Sequence, residues 1–310
     1  MTSPIDILKQ FIILSPRRIA PEKSDCLLSL LKKHSITFQF ESAERRILFQ
    51  ATNQNVIRAG EKCLERLWAL SYGYFVLFDA LRTEKLRKPS TNSIDINCDP
   101  ETRKAADLLS WATSTDWQIA AEGKNLSSPL PDWPESLPRP IENATKGSNE
   151  DVADKLFLTA VGFILHHELA HVRLGHTTSK AEGPESILNE KNADREAAKW
   201  LLDGSGEKDK EFIQRIFGIT VALMWLAAPN AYVPHSSISH PPGYDRLYQT
   251  LFSFVSDDCH PVWVFVASSL LLHLEASGAN YDSGMRHQSP QQAVNYYCDV
   301  LPRRFSGGGE

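Results

Sequence analysis

The sequence lacks an apolar run long enough to cross a membrane. Its longest apolar stretches, Ile216 to Ala228 and Val262 to Leu274, fall short of the ~20 residues that a membrane-spanning helix needs. The first residues, Met1 to Lys9, contain polar side chains where a secretory signal would have a continuous apolar block. We therefore expect neither a membrane span nor an export signal, and we interpret the two apolar stretches as core helices.

Basic clusters and paired cysteines are also missing. The formal net charge is −5, and no group of basic residues is interleaved with aromatic residues, which disfavours nucleic acid and anionic membranes as partners. The five cysteines are scattered, without the paired spacing of a zinc knuckle, and we expect them to be reduced thiols in a cytoplasmic protein. A chain of 310 residues that is 42% hydrophobic is long enough to build one catalytic unit around a sizeable core.

The most informative motif that is present is His-Glu-x-x-His, within an apolar helical run. His167 and His171 are four residues apart, so a helix places both imidazoles on one face, where they can ligate one Zn²⁺. Glu168 points to the side of this pair and is predicted to act as the general base toward a water molecule. His166 lies about 100° around the helix from His167 and is predicted to pack in the core or to support the site.

A hydrolytic zinc site usually has three protein ligands, so a third ligand is needed. The extended pattern HExxHxxGxxH fails because Gly175 and His176 are each out of register by one residue, and His176 is interpreted as a surface or helix-capping histidine. Downstream, Glu190 and Asp194 are four residues apart and share a helix face. Glu190 is predicted to be the third ligand, and Asp194 to accept a hydrogen bond from a ligating histidine. The alternative is a solvated acidic face.

These motifs resemble those of the gluzincin metallopeptidases, and more closely those of the phage-exclusion peptidase family of Lit. Beyond the residues named above, the resemblance includes Ser15-Pro16, Ile19 to Lys23, Ala198-Lys199-Trp200, and His240-Pro241 followed by Tyr244 and Arg246. The gluzincins that include the CAAX prenyl protease and HtpX also carry a His-Pro-Pro stretch followed by an arginine. Their catalytic helices lie between membrane spans, which this sequence lacks.

The resemblance implies a zinc endopeptidase that cleaves a folded cytoplasmic protein. The substrate implied is translation elongation factor Tu, with phage exclusion as the outcome and a phage-derived activator as a further partner. Two other functions stay open, namely a regulatory peptidase that cleaves a repressor and a non-catalytic binding module that keeps the zinc fold. The presence of Glu168 argues against the binding module, because a binding module needs no general base.

The loop that carries His240 is expected to complete the site. The tetrahedral oxyanion needs a hydrogen-bond donor besides the metal, and His240 or Tyr244 is predicted to supply it because their loop matches the part of the family that approaches the metal. A loop-capping role is the alternative for His240. Arg246 is predicted to hold this loop to Asp194 or Glu190 through a bidentate ion pair, with a surface arginine as the alternative.

The remaining pattern predicts a mostly helical α+β protein with a zincin-like (gluzincin) fold and a helical C-terminal part. Alternating apolar residues in 36–40, and short β-rich runs at 46–50 and 55–58, predict a small N-terminal antiparallel sheet. We expect residues 1–121 to hold this sheet and a long helix from Glu61 to Leu86. Residues 122–151 form a Pro-rich loop, either a lid or a mere connector, and 152–310 carry the zinc site. The catalytic and third-ligand helices are predicted at Val152 to Leu174 and Glu185 to Leu202.

Overall fold

The computed structural model describes residues 3–41, 49–88, 95–97, 99–114, 117, 130–178, 181–230, 243–276, 281–282 and 285–306, with the side chains of 227–230 and 302–306 excepted. Helices dominate this part of the chain, which confirms the expectation of a mostly helical protein. None of the described helices combines the length and the apolarity that crossing a membrane requires.

The predicted long helix, catalytic helix and third-ligand helix are all present. In chain order the described elements are a 3₁₀ helix Pro4–Leu8, α1 Lys9–Arg18, a 3₁₀ helix Pro21–Lys23, α2 Ser24–Lys33, β1 Thr37–Glu41, β2 Gln50–Ala51, β3 Val56–Gly60, α3 Glu61–Arg87, α4 Pro100–Ala112, α5 Asn149–Arg173, α6 Pro184–Leu202, α7 Lys210–Asn230, α8 Gly243–Phe252, α9 Pro261–Ala276 and α10 Pro290–Ser306. The catalytic helix α5 therefore begins three residues earlier than the sequence pattern predicts.

The three strands form one small mixed sheet in the order β1-β3-β2. β2 pairs with β3 in the antiparallel direction, as a short turn between them requires. β1 pairs with β3 in parallel, with Thr37 opposite Val56. The prediction of an antiparallel sheet is therefore wrong for β1.

The parallel pairing has a local cause in Asn55, the residue before β3. Its Nδ2 donates a hydrogen bond to the carbonyl of His34 at 2.8 Å. Its own carbonyl accepts the backbone N–H of Thr37 at 3.2 Å. Asn55 has a φ of 58°, a left-handed conformation that asparagine tolerates better than most residues. These bonds hold the start of β1 beside the start of β3, so the two strands run in the same direction.

α5 lies at the centre of the helical part and packs against α1, α3, α6 and α7. The hydroxyl of Ser148 accepts the N–H of Asp151 and caps the N-terminus of the helix. The crossing with α7 is close, because a Cβ atom added at Gly218 would overlap the side chain of Thr159. Most of the C-terminal half of α5 is buried, so the histidine face of this helix is fixed from several sides.

Residues 130–148 lead into α5 without forming a helix or a strand. They are attached to α3, because Trp133 is buried with its ring centre 5.8 Å from that of Trp68. In addition, Lys62 Nζ lies 3.4 Å from Asp132 Oδ1. Residues 122–129 of the predicted Pro-rich loop lie outside the described part of the chain, and the lid role of this loop stays a prediction.

Candidate active site

α5 presents His167 and His171 one helical turn apart, as their spacing requires. α6 packs against α5 and brings the side chain of Glu190 to the same place. His167 Nε2 and His171 Nε2 are 3.0 Å apart. Glu190 Oε2 lies 3.4 Å from His167 Nε2, and the other oxygen of the same carboxylate, Oε1, lies 3.3 Å from His171 Nε2. Potential ligand groups of three residues on two helices therefore come together in one place.

The spacing of these atoms fits a zinc ion. Zn²⁺ binds imidazole nitrogen and carboxylate oxygen at ~2.0–2.2 Å in a tetrahedral site, which puts neighbouring ligand atoms ~3.3 Å apart. The observed separations, from 3.0 to 3.4 Å, are close to that value. Two imidazoles and one carboxylate also match the ligand set of many hydrolytic zinc sites, which leave one position open.

Asp194 and Arg246 form a buried charged network beside the three candidate ligands. Asp194, one turn beyond Glu190 on α6, has its Oδ1 2.9 Å from His167 Nδ1. Arg246, on α8, donates to both carboxylate oxygens of Asp194 at 2.7 Å. Its Nη1 lies 3.1 Å from Glu190 Oε2. The network thus contacts the far side of the His167 ring and leaves Nε2 directed at Glu190 and His171.

The electrostatic environment of the site favours cations. Burial disfavours a charged imidazole at His167, but Asp194 and Glu190 outweigh burial and raise the pKa of His167 to about 10. Burial also disfavours an ionised Asp194, yet the charges of Arg246 and His167 hold its pKa below the ordinary value. Carboxylates that favour a positively charged His167 also favour a metal cation beside its ring.

Glu168 follows His167 on α5, and its carboxylate is held by the sheet. Its Oε2 accepts the backbone N–H of Ala51, on β2, at 2.6 Å. The N–H of the next residue, Thr52, donates to the carbonyl of Val56 at 2.9 Å. Because N–H groups alternate in direction along a strand, the N–H of Ala51 points away from β3 and toward α5. A backbone group at the edge of the sheet thus sets the position of the Glu168 carboxylate.

His176 contacts the site in a way that the sequence pattern does not predict. Its Nδ1 lies 3.0 Å from His171 Nδ1, on the side of that ring opposite to Nε2. α5 ends at Arg173, and Gly175, two residues later, has a φ of +77°. The N–H of His176 then donates to the carbonyl of His171 at 2.9 Å. This turn brings His176 back over His171. The sequence feature that could have predicted this contact is the pair Gly175-His176, which lies just after the helix with the candidate ligands His167 and His171.

His166 faces away from the candidate ligands and joins two other motifs of the family resemblance. Its Nε2 donates to the carbonyl of Pro16 at 3.1 Å, and its ring stacks on Trp200 with the ring centres 5.2 Å apart. Burial lowers the pKa of His166 to about 4, so its imidazole is neutral at pH 7. The N-terminal Ser15-Pro16 motif and the Trp200 motif on α6 therefore meet behind the catalytic helix.

The predicted oxyanion donors are only partly described. Tyr244 is buried on α8, and its backbone carbonyl accepts the thiol of Cys298, on α10, at 3.5 Å. Burial raises the pKa of Tyr244 to about 12. His240 lies outside the described residues. The roles of His240 and Tyr244 toward an oxyanion stay predictions.

Comparison with known proteins adds an independent finding. A family model described as Peptidase U49 matches residues 57–266, a range that contains every candidate ligand. The cell death peptidase of Escherichia coli (strain K12) is 29% identical over 269 residues, which cover 84% of this chain and 84% of that protein. No solved structure gives a significant match to the chain.

Proposed function

The chain belongs to the peptidase U49 family, and on that premise we propose that it is a zinc-dependent endopeptidase acting on a protein substrate in the cytoplasm. The observation that carries the proposal is the convergence of His167, His171 and Glu190 at separations that suit one zinc ion. We assign the chain a zincin-like fold and regard it as a single catalytic unit, since helices from both halves pack on α5.

The proposed chemistry divides between the metal and Glu168. Zn²⁺ at this site would supply Lewis acidity that polarises the peptide carbonyl and makes the attacking water more acidic. Glu168 would accept the proton of that water and pass it to the leaving amine. The N–H of Ala51 would hold one oxygen of Glu168 and so leave the other directed at the water. Tyr244, whose phenol stays protonated at neutral pH, or His240 would donate to the oxyanion.

The buried charges around the site support this division of roles. Arg246 neutralises Asp194 and approaches Glu190, so neither carboxylate needs to be protonated in the folded protein. An ionised Glu190 would bind the metal, and an ionised Asp194 would accept the Nδ1 proton of His167. His167 would then present its Nε2 lone pair to zinc.

The substrate is proposed to be an extended segment of a protein. β2 is an edge strand whose backbone reaches Glu168, and such an edge can pair with an added peptide strand. By the resemblance to the Lit family, we propose translation elongation factor Tu as the target, phage exclusion as the outcome and a phage-derived activator as the trigger. The matched relative is itself named a cell death peptidase, which agrees with a harmful, controlled activity.

The proposal is tested by incubating the purified, zinc-loaded protein with a bacterial lysate and identifying new protein N-termini. We expect one dominant cut in elongation factor Tu that requires both zinc and a phage-derived trigger. Glu168→Gln is the matched control, because it should retain zinc and lose cleavage by several orders of magnitude. Cleavage that a chelator does not inhibit would overturn the zinc assignment.

The same experiment separates the alternatives. A single new N-terminus in a transcriptional repressor would identify a regulatory peptidase. Zinc binding without any new N-terminus, with or without the trigger, would identify a binding module. Unselective degradation of unfolded proteins would contradict the proposed target and identify a quality-control peptidase.

A further inference from the structure

A buried arginine lies where α3 packs against the end of α4, far from the candidate active site. Arg66, on α3, is only 3% exposed. Its Nε donates to the carbonyl of Ala112, the last residue of α4, at 2.7 Å. Its Nη2 is buried and has no hydrogen-bond partner. Such an atom is uncommon in folded proteins, because an unmade hydrogen bond in the interior is costly.

The charge of Arg66 faces the ring of Trp117 rather than a carboxylate. Within the described part of the chain, no carboxylate lies within ion-pair distance of its guanidinium. Burial lowers the pKa of Arg66 to about 10, which still leaves it charged at neutral pH. Burial raises the pKa of the nearby Cys63 thiol to about 12, and it also raises the pKa of the Tyr74 phenol. Both groups are therefore neutral and cannot serve as a counterion.

Three more polar side chains in this region are buried without a hydrogen-bond partner. Trp117 lies with its ring centre 5.7 Å from Arg66 Cζ, and its indole Nε1 is buried without a partner. The Ser114 hydroxyl, two residues after Ala112, is likewise buried and unpartnered. Trp133 Nε1 is a third such donor.

The aromatic rings connect these donors into one cluster. The ring of Trp111 lies 5.2 Å from that of Trp117 and 5.2 Å from that of Trp133. We call Arg66, Ser114, Trp117 and Trp133 the Arg66 cluster. An indole N–H only donates, a guanidinium only donates, and the hydroxyl can donate. Among the described residues, Arg66 Nη2, the two indole N–H groups and the Ser114 hydroxyl therefore all lack a hydrogen-bond partner.

We propose that the Arg66 cluster binds a small oxyanion, namely a carboxylate or phosphate group. An oxyanion would supply the missing negative charge, and its oxygens would accept hydrogen bonds from Arg66 Nη2 and from the neighbouring donors. The indole rings would exclude water and so strengthen these bonds. A neutral ligand would leave the buried charge uncompensated.

The cluster is separated from the candidate metal site along α5. Trp68, whose ring packs on Trp133, donates from Nε1 to Asp154 on α5 at 2.7 Å. Asp154 precedes His167 by thirteen residues, which is about 20 Å of helix. Anion binding at the Arg66 cluster can therefore be measured without a peptidase assay. The result does not depend on whether the proposed function is correct.

The test is a titration of the full-length protein with inorganic phosphate, and in a second arm with acetate, at ionic strength held constant with chloride. We expect a saturable rise in Tm together with a saturable change in tryptophan fluorescence in at least one arm. The arm that saturates at the lower concentration identifies the preferred oxyanion. No saturable response to either anion would overturn the proposal.

Variants locate the response. Arg66→Gln should abolish it, whereas Arg82→Gln, an exposed arginine on the same helix, should leave it unchanged. Trp117→Phe keeps an aromatic ring, although a smaller one, and deletes the N–H, so the anion should bind roughly tenfold or more weakly. An Arg66→Gln variant that responds like the wild type would disprove the site. If that variant does not fold, Trp117→Phe decides, and an unchanged affinity in it also disproves the site.

Discussion

Arg246 and Asp194 form a bidentate ion pair in which Nε and Nη2 each donate to one carboxylate oxygen at 2.7 Å. The two residues come from different helices, α8 and α6, and both are almost fully buried. Asp194 in turn contacts His167 Nδ1 at 2.9 Å. The orientation of a candidate metal ligand therefore depends on an arginine that does not itself reach the metal position.

Removal of Arg246 should be strongly destabilising. Arg246→Met removes the arginine that pairs with the buried Asp194 and contacts Glu190, so we expect the free energy of unfolding to fall by about 3–5 kcal/mol. Arg246→Lys keeps the charge but loses the two parallel hydrogen bonds, and should fall between the wild type and Arg246→Met. The measurement is urea unfolding of the metal-free and zinc-loaded proteins.

A second arginine provides the control for this prediction. Arg173, on α5, contacts Glu196, on α6, through partly exposed side chains with 3.6 Å between nitrogen and oxygen. Arg173→Met should cost less than about 1 kcal/mol, because exposed ion pairs contribute little. Equal losses in Arg246→Met and Arg173→Met would show that burial of the Arg246 network does not matter.

Zinc affinity should separate direct ligands from supporting residues. Glu190→Ala leaves two protein ligands and should lose zinc during dialysis, whereas Glu196→Ala on the same helix should retain it. His176→Ala removes the group beside His171 Nδ1 and should weaken zinc binding on the order of 10–100-fold. Competition with a chromophoric chelator measures all three. Wild-type affinity in His176→Ala would show that His176 does not orient His171.

The backbone of β2 should matter to catalysis more than to folding. Ala51→Pro removes the N–H that Glu168 accepts, and it removes no sheet hydrogen bond because that N–H points away from β3. On the proposed mechanism, kcat should fall about 10–100-fold while zinc content stays the same.

Ala51→Gly retains the N–H and is the matched control for this prediction. It should keep most of the activity of the wild type. A loss of activity in Ala51→Gly as large as that in Ala51→Pro would mean that β2 is simply unstable to substitution, and the positioning role of the N–H would then be rejected.

Asp154 should make the protein less stable as pH rises. Burial raises the pKa of Asp154 from 3.8 to about 6, so the folded protein holds a proton in this range that the unfolded chain has lost. The contribution of Asp154 to the free energy of unfolding therefore falls between pH 3.8 and about 6. Asparagine does not ionise, so the free energy of unfolding of Asp154→Asn should not fall in this pH range. The variant should therefore be more stable than the wild type at pH 7 and equally stable at pH 4.

Asp151, three residues earlier, should show the opposite sign. Its carboxylate accepts the N–H of Gly147 at 2.7 Å, and this bond, with help from Lys155, lowers its pKa below 3.8. The stabilisation is complete above that pH and is lost as pH falls through the lowered pKa. Asp151→Asn should therefore be less stable than the wild type at pH 7. If both variants shifted stability in the same direction at pH 7, the assigned environments would be incorrect.

Helical spacing predicted the part of the candidate site that lies on helices. Two residue pairs of the site are each four positions apart, namely His167 with His171 and Glu190 with Asp194. A helix places both members of such a pair on the same face. The ion pair of Arg246 with Asp194 was also among the predictions, because the resemblance singled out the arginine that follows the His-Pro-Pro stretch. The helical pairs are thus encoded at a fixed period, whereas Arg246 was found from the family motif.

Contacts that depend on the backbone or on tertiary geometry were not predictable. Ala51 acts through its N–H, which every residue except proline carries, so its sequence gives no signal. His176 was interpreted as a surface or helix-capping residue because a continued helix would rotate it away, whereas the helix ends at Arg173 and the chain turns at Gly175. β1 was assigned to an antiparallel sheet because strand propensity does not reveal the side-chain bonds that Asn55 makes.

The hydrogen bond between Ala51 and Glu168 joins residues that are 117 positions apart, and the Asp194–Arg246 pair spans a further 52. A nascent chain that has not yet released α8 from the ribosome has no arginine to neutralise Asp194 and Glu190. The histidine helix and Glu190 are made earlier, but the ion pair between Arg246 and Asp194, which contacts His167, is still missing. On the proposed function, a peptidase with a harmful activity would thus be kept inert throughout most of its synthesis by the order in which its residues are made.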